Sequence, residues 1–539
     1  MKEKFLKLFN PVPIVLLALV VSCSDLDVDI KSSYTQFPDS ERAAEAVASN
    51  AYFGFRGALG RYYNCVQTLT SDEAMCMSFN GADWYDRGGY SMLALHWWDE
   101  SNGFIDYYRD LTRAITTCNN LINEMGGEEN DLTAPIRAAR AFYLFILMDS
   151  FGDTPILDRV LEADEAVDRS PRPDVALFIE SELLTVMDFL PTNVDVTTYG
   201  KPTVWMAKAL LVKLYINWAV YTCSDVATYT PTMANSKLND AVRECDDIIA
   251  SGIFDLSDNF MSKFNPDNGP HIKDFIYAMP YDWSTQTGMT YARFWTHFNG
   301  NEGFYGLTLP ATGAGGIFAM NPEFVDKFNL EGDDRNEQFV GGPLFVRSPT
   351  TYKATATPWM HSGKQVTLTK VVELDKMDVT LPVNHDVHGG HSQGYRSVKF
   401  HMDPRALAPS PYLRSQSNDV PIFRFADILL MKAEALLRGA SHTTDDTPVS
   451  LMNQIRSYVN APLLTEQPTL DELLDERARE FADENWRRND LIRFGKFEDD
   501  WGYKHTIMPS ARTELYRRIF PIPRAVMNTN TNWTQNPGY

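Results

Sequence analysis

Between Glu41 and Ser251, apolar residues recur at three- and four-residue steps in one segment after another, and this rhythm constrains the fold more than any other feature. It predicts helices over Glu41–Phe55, Phe104–Met125, Pro135–Ser150, Asp174–Leu190, Val204–Tyr221 and Leu238–Ser251, each with a broad face to bury. In the third, Ala138, Ala141, Phe142, Phe145 and the pair Leu147/Met148 line that face. Short turn-forming stretches such as Gly126-Gly127 and Pro191-Thr192-Asn193 separate the segments. Helices paired by short turns point to a tetratricopeptide-like scaffold, although no clean period of about 34 residues is present.

The rhythm stops near residue 252. Residues 253–420 hold 15 Gly and 12 Pro in 168 positions, against 16 and 18 in the other 371, so helix is hard to sustain there. Long loops, short helices and a few strands, such as Lys364–Leu374, are expected. Helix returns over Arg424–Arg438, Val449–Val459, Leu470–Phe481 and about Glu484–Phe494. The fold class is therefore mainly α: one large domain, 39–539, with helical scaffold at 39–252 and 421–539 around a loop-rich insertion. Long irregular stretches inside a compact protein usually carry function.

Residues 1–22 stand apart. Lys2, Lys4 and Lys7 precede the apolar run Val12–Val21, which as a helix would rise only about 15 Å, half of a roughly 30 Å hydrocarbon core. This reads as a secretory signal and not a membrane span. It ends at Val20-Val21-Ser22-Cys23, which resembles the lipobox of bacterial lipoproteins and makes Cys23 the expected lipidation site. An ordinary signal that happens to end near a Cys is the alternative. Residues 23–38 are then an acylated N-terminus and linker, and Ser24-Asp25-Leu26-Asp27-Val28-Asp29 resembles the surface-export signal of Bacteroidetes lipoproteins.

With 49 Lys+Arg against 71 Asp+Glu, the chain carries −22. No nucleic-acid partner is expected, because such binders need a basic face to displace phosphate counterions. A polyanionic ligand is disfavoured too, unless a local basic patch overrides the net charge. Cys65, Cys76, Cys118, Cys223 and Cys245 show no CxxC spacing, which argues against a zinc knuckle or thioredoxin motif; most are expected as buried small hydrophobes, and one disulfide is left open.

The C-terminal motifs are more specific. Ser417-Asn418-Asp419-Val420-Pro421-Ile422-Phe423-Arg424-Phe425-Ala426-Asp427-Ile428-Leu429-Leu430-Met431-Lys432-Ala433-Glu434-Ala435 resembles the signature of the SusD/RagB family, surface glycan-binding lipoproteins of Bacteroidetes. Arg137–Leu144 running to Phe151-Gly152-Asp153-Thr154-Pro155, Gly394–Phe400, Glu476–Phe481 with Arg487–Gly495, and Phe520-Pro521-Ile522-Pro523 with Gln535–Tyr539 agree in order along the chain. Val526 departs from the pattern, where a Glu usually follows. The resemblance implies a helical fold with four tetratricopeptide-like pairs, no catalysis and no cofactor. It also implies a partner of the SusC type, a TonB-dependent outer-membrane transporter. Asp483/Arg487 and Glu484/Arg488 are expected as helical i,i+4 pairs within a charged network that pins the C-terminal helices.

A sugar ring offers a C–H-rich face and a rim of hydroxyls. Flat aromatic side chains fit the face, and amides, carboxylates and guanidinium groups fit the rim. Two stretches combine them: Asn80, Asp83, Trp84 with Trp97 and Trp98, and Trp283 with Trp295, Asn299 and Tyr305. These are the expected oligo- or polysaccharide-binding residues. The resemblance assigns binding to loops in these two regions but transfers no individual residue. Gly390-His391-Ser392-Gln393-Gly394 matches a nucleophile elbow but lacks the strand before and helix after that the motif requires. His385, His388, His391 and Asp386 read as a surface loop, not a metal site. A glycan-binding lipoprotein that delivers its cargo to a transporter is the preferred reading; a helical interaction scaffold without glycan affinity, or a glycoside hydrolase, are the alternatives.

Overall fold

The computed structural model describes residues 41–79, 88–127, 129–162, 165–296, 316–374, 382–383, 386–407 and 415–539. The chain divides into Met1–Ala44, nearly all outside the described residues, and Glu45–Tyr539, which holds the scaffold.

The predicted helices form close to their expected bounds: Glu41–Tyr52, α1 (Tyr107–Glu124), α2 (Thr133–Phe151), α3 (Arg172–Val186), α4 (Val204–Ile216) and α5 (Leu238–Ala250). Helix α1 buries Leu111, Ala114, Ile115, Cys118, Leu121 and Ile122, the stripe its spacing dictates. It stops at Gly126 and Gly127, whose φ of 91° and 74° suits residues without a Cβ. Helix α2 is buried along almost its entire length. It packs on α1 at one side and α3 at the other, and α4 packs on α5.

Helix α5 does not finish the stack. Its next partner is α6 (Phe425–Leu437), which follows the whole loop-rich excursion and in turn packs on α7 (Pro448–Tyr458) and α8 (Leu470–Phe481). Both α7 and α8 open with capping boxes, Thr447/Ser450 and Thr469/Glu472. The excursion is closed where it begins and ends: β1 (Phe275–Met279) pairs antiparallel with β2 (Val420–Arg424), Val420 opposite Met279 and Arg424 opposite Phe275. Asp274 adds a second clasp. Its carboxylate accepts from Ala426 N at 3.0 Å, capping α6 from across the excursion.

Inside the excursion, secondary structure is sparse, and one expectation changes. The strand expected over Lys364–Leu374 is two fragments, because Ser362 and Gly363 take positive φ and fold Lys364–Gln365 back on Met360–His361, while Thr367–Leu368 pairs with Gly342–Pro343. Around it, Leu344, Trp359, Val366, Leu368, Val398 and Met402 make a small core of their own.

The largest correction concerns the charged C-terminal signature. Asp483 and Asn485 take φ of 62° and 71°, so helix α9 (Arg487–Arg493) begins only after them and the expected i,i+4 pairs do not form. Arg487 pairs with Asp72 at 2.7 Å, and Asp483 accepts from Asn64 and Ser397. Glu484 meets Arg424 at 2.7 Å and Lys399 at 2.6 Å, while Arg488 lies over the Phe520 ring. These groups belong to a buried seam. Arg424 bridges Asp274 (2.6 Å), Glu480 (2.8 Å) and Glu484; Arg335 binds Asp333 and Glu476; Arg477 joins Asp427 to Asp490; Arg493 joins Asp490 to Glu434. Burial alone would raise Asp274, yet Lys263 and Arg424 outweigh it and hold the carboxyl at about 2. Among the described residues no helix is long and apolar enough to cross a membrane. The five cysteines after Cys23 are all free thiols.

Candidate functional site: an aromatic strip beside two loop roots

The two aromatic-rich stretches singled out in the sequence are joined at their bases. Met77 N donates to Ile317 O at 2.7 Å, and Ile317 N donates to Phe294 O at 3.0 Å. Ala74–Cys76 pairs antiparallel with Phe318–Met320. Above this pairing, Tyr90 meets Phe294 and Phe318 with ring centroids at 6.0 and 6.3 Å and stacks on Phe104 at 4.0 Å. The described residues on either side of 80–87 and 297–315 thus meet at one buried aromatic cluster.

Next to these roots runs a strip that the sequence did not single out. Leu59–Tyr63 forms a π-turn, a geometry common at functional sites. Its inner side buries Leu59, Gly60 and Tyr63; its outer side, with the preceding turn, presents Phe53, Gly54, Arg56, Gly57, Arg61 and Tyr62. Arg56 lies over the Phe53 ring (4.2 Å) and Arg61 over Tyr62 (4.9 Å), and Tyr62 in turn leans on Phe104. Gly54 and Gly57 leave the surface between them without side chains.

The turn carrying Trp283 abuts the same strip. Tyr291 Oη donates to Leu59 O (2.9 Å), Tyr281 Oη to Arg56 O (2.7 Å), and Arg56 Nη2 to Gln286 Oε1 (3.4 Å). The backbones of Gly60 and Gly288 approach so closely that a Cβ on Gly60 would sit 2.4 Å from the Gly288 carbonyl oxygen. Asp282 fixes the turn by accepting from the amides of Ser284 and Thr285 at 2.9 and 2.8 Å. Trp283 itself is half-buried, its amide donating to Ser417 Oγ. Behind it, Asp419 accepts from Tyr281 N (2.7 Å) and Tyr199 Oη (2.8 Å), and burial pushes its carboxyl up to about 7.

The remaining expected residues divide. Trp97 is 42% exposed, but its turn is tied to the C-terminal segment through Glu100, which pairs with Arg524 at 2.9 Å. Trp98 and Trp295 are corrected to core, at 1% and 2% exposure. His96, at φ 53°, turns the chain so that Trp98 points inward and donates to Tyr539 Oη at 2.9 Å. Trp295 packs edge-on against Phe318 at 5.4 Å. Neither ring offers a face to a ligand. Cys23, Asn80, Asp83, Trp84, Asn299 and Tyr305 lie outside the described residues, as does His385. Ser392 is buried and donates to the Val387 carbonyl from a short 3-10 turn, so it makes no nucleophile elbow. Arg56, Arg61 and Tyr62 were missed because they fall between the helices expected over Glu41–Phe55 and Phe104–Met125, where no element is expected; the Gly-flanked run of aromatic and arginine residues was the available signal.

The stacked helices carry an open aromatic strip, and among the described residues no trio of His, Cys, Asp or Glu is placed to hold a metal ion. A family model described as the SusD family matches residues 273–539, the part that holds β2, α6–α9 and the buried seam. The chain is 25% identical over 504 residues to the starch-binding protein SusD of Bacteroides thetaiotaomicron, covering 88% of this chain and 85% of that one. A SusD superfamily protein from Parabacteroides distasonis superposes with a TM-score of 0.68 at 19% identity, covering 93% of this chain and 100% of that one. A laminarin-binding SusD-like protein gives 0.65 at 19%, with the same coverage. Residues 273–539 thus carry the SusD family match, and the chain along most of its length is similar to SusD-family proteins in sequence and fold.

Proposed function

We propose that this protein is a cell-surface glycan-binding lipoprotein that captures oligo- or polysaccharide and hands it to a SusC-like TonB-dependent transporter, breaking no bond itself. The observation that carries the reading is the strip: Phe53, Tyr62 and Trp283 sit on backbone locked to a rigid helical frame, beside the roots of both aromatic-rich segments. Such stiff rings stack on sugar faces with little loss of side-chain freedom, while the guanidinium and amide groups between them meet hydroxyls. Relatives named for starch and laminarin binding favour the same ligand class. Cys23 would carry the acyl anchor, with residues 1–22 removed and 23–38 as tether to the outer membrane. Several acyl chains hold a protein at a membrane where one alone is marginal.

Affinity electrophoresis of the mature chain against a polysaccharide panel tests this reading. Binding to at least one glycan, weakened about tenfold or more by Trp283→Ala and by Tyr62→Ala with unchanged circular dichroism, is expected. Binding to none of the panel rejects it in favour of a scaffold, and release of new reducing ends from a bound glycan would make it a hydrolase.

A further inference from the structure

Many buried arginines of the scaffold are matched to carboxylates, and Arg172, Arg347, Arg396 and Arg488 to backbone carbonyls; the two half-exposed arginines on the strip have neither an acid nor a backbone carbonyl on their guanidinium groups among the described residues. Arg56 donates from Nη2 to the neutral amide of Gln286 and pairs with no acid among the described residues; Asp419 acts on it only through space. Arg61 is surrounded by Tyr62 and Tyr90, again without an ion pair. Both guanidiniums lie over a ring, at 4.2 and 4.9 Å from its centre, and are half-buried, and each carries a planar fork of donors. In a chain with 71 acidic residues, two unmatched arginines on one exposed strip form the local basic patch that could override the net charge.

The acids nearest the strip are already engaged. Asp282 is spent on its own turn, accepting from Ser284 and Thr285. Asp419 faces Tyr199 and Tyr281 inside, and its raised carboxyl carries only part of its charge near neutral pH. Asp106, next to Phe104, is paired with Arg109. Beyond these, ionic screening over about 8 Å at physiological salt hides the rest of the negative surface from a ligand on the strip. Arg56 and Arg61 are five positions apart, roughly 7 Å along the axis at about 1.5 Å per residue, with side-chain-free Gly57 between them. That spacing lets one short oligosaccharide lie across both.

We propose that the strip selects glycans bearing carboxylates, polymers of uronic acid, with Arg56 and Arg61 each forking a carboxylate while Phe53, Tyr62 and Trp283 stack on the rings. A planar fork matches the planar carboxylate in two parallel hydrogen bonds, which an ester or a hydroxyl cannot reproduce. The inference rests on the glycan-binding reading above and narrows its ligand class.

The test is calorimetric titration of the mature chain with oligogalacturonate, alginate oligosaccharides and unsulfated chondroitin oligosaccharides, alongside methyl-esterified oligogalacturonate, a sulfated chain and neutral glucans. We expect at least one uronate to bind, methyl esterification or Arg56→Gln or Arg61→Gln to weaken it about tenfold or more, and added salt to weaken it further. Arg56→Lys, which keeps the charge but loses the fork, should recover only part of the affinity, a split that a folding defect would not give. If neutral glucans bind and uronates do not, or if the arginine variants bind uronates unchanged, the carboxylate assignment is overturned while glycan binding stands. Tighter binding of the sulfated chain also overturns it. Binding of nothing in the panel rejects the glycan reading itself.

Discussion

Two groups of arginines in this chain have opposite surroundings. In the seam between the excursion and helices α6 to α9, Arg335, Arg424, Arg477 and Arg493 are almost fully buried, and each touches two or more carboxylates. On the strip, Arg56 and Arg61 are half-exposed, lie on aromatic rings and touch no carboxylate. A buried guanidinium must recover several kcal/mol of lost hydration, so its position demands acids or carbonyl oxygens around it. A half-exposed one stays wet and can keep its donors for something that arrives later. The family signature is written mostly in the first kind, and the proposed ligand recognition in the second.

The comparison can be broken most forcefully at Arg424. Arg424→Met leaves Asp274, Glu480 and Glu484 facing one another with less compensation, and should cost about 3–5 kcal/mol in urea unfolding. Arg56→Gln, the matched change on the strip, should shift stability by no more than about 0.5 kcal/mol in the same experiment. Equal losses would erase the distinction between the two groups.

Trp98 and Trp97 offer the same contrast between neighbours. Trp98→Ala removes a buried ring and its bond to Tyr539, and should cost about 3 kcal/mol by thermal or chemical unfolding. Trp97→Ala on the exposed side should cost about 0.5 kcal/mol or less.

The smallest effect expected is a slope. Glu73 is buried beneath the seam, accepts from Asp483 N at 2.8 Å and has no cation of its own, so burial pushes it up to about 8. A folded pKa above the unfolded value means stability that is complete below about 4.5 and declines as pH rises through about 8. Asp274 and Glu476, held at about 2, act oppositely: their contribution is present above the ordinary carboxylate range and is lost as pH falls toward 2. Glu73→Gln should therefore flatten the fall in melting temperature between pH 5 and pH 8, roughly, and leave the acid limb unchanged. An unaltered alkaline slope would show that Glu73 is ionised in the folded state.

The sequence was informative where a rule is local. Helix positions followed from periodicity, and Gly126, Gly127, Thr447 and Thr469 marked ends that the backbone respects. The i,i+4 reading of 483–488 failed because local spacing carries no information about Asp72, Asn64 or Lys399, which are distant in sequence and adjacent in the seam. The expectation for Trp98 and Trp295 failed for a related reason: an aromatic side chain suits a core as well as a sugar, and composition does not say which way it points. The strip was invisible because residues 56–63 follow the end of the helix expected over Glu41–Phe55, and spacing along the chain does not show that a π-turn there faces Gly288 and Gln286.

By itself the chain determined its mainly helical class, the irregular stretch between the helical parts, and its resemblance to the SusD family, since these rest on periodicity and on short motifs. Only tertiary structure decided which arginines are consumed inside and which stay open, and that aromatic residues 200 positions apart share one root (roughly, from Tyr90 to Phe294). The physical reason is that charge pairing and ring packing act through space over a few ångströms, whereas helical rhythm acts along the chain.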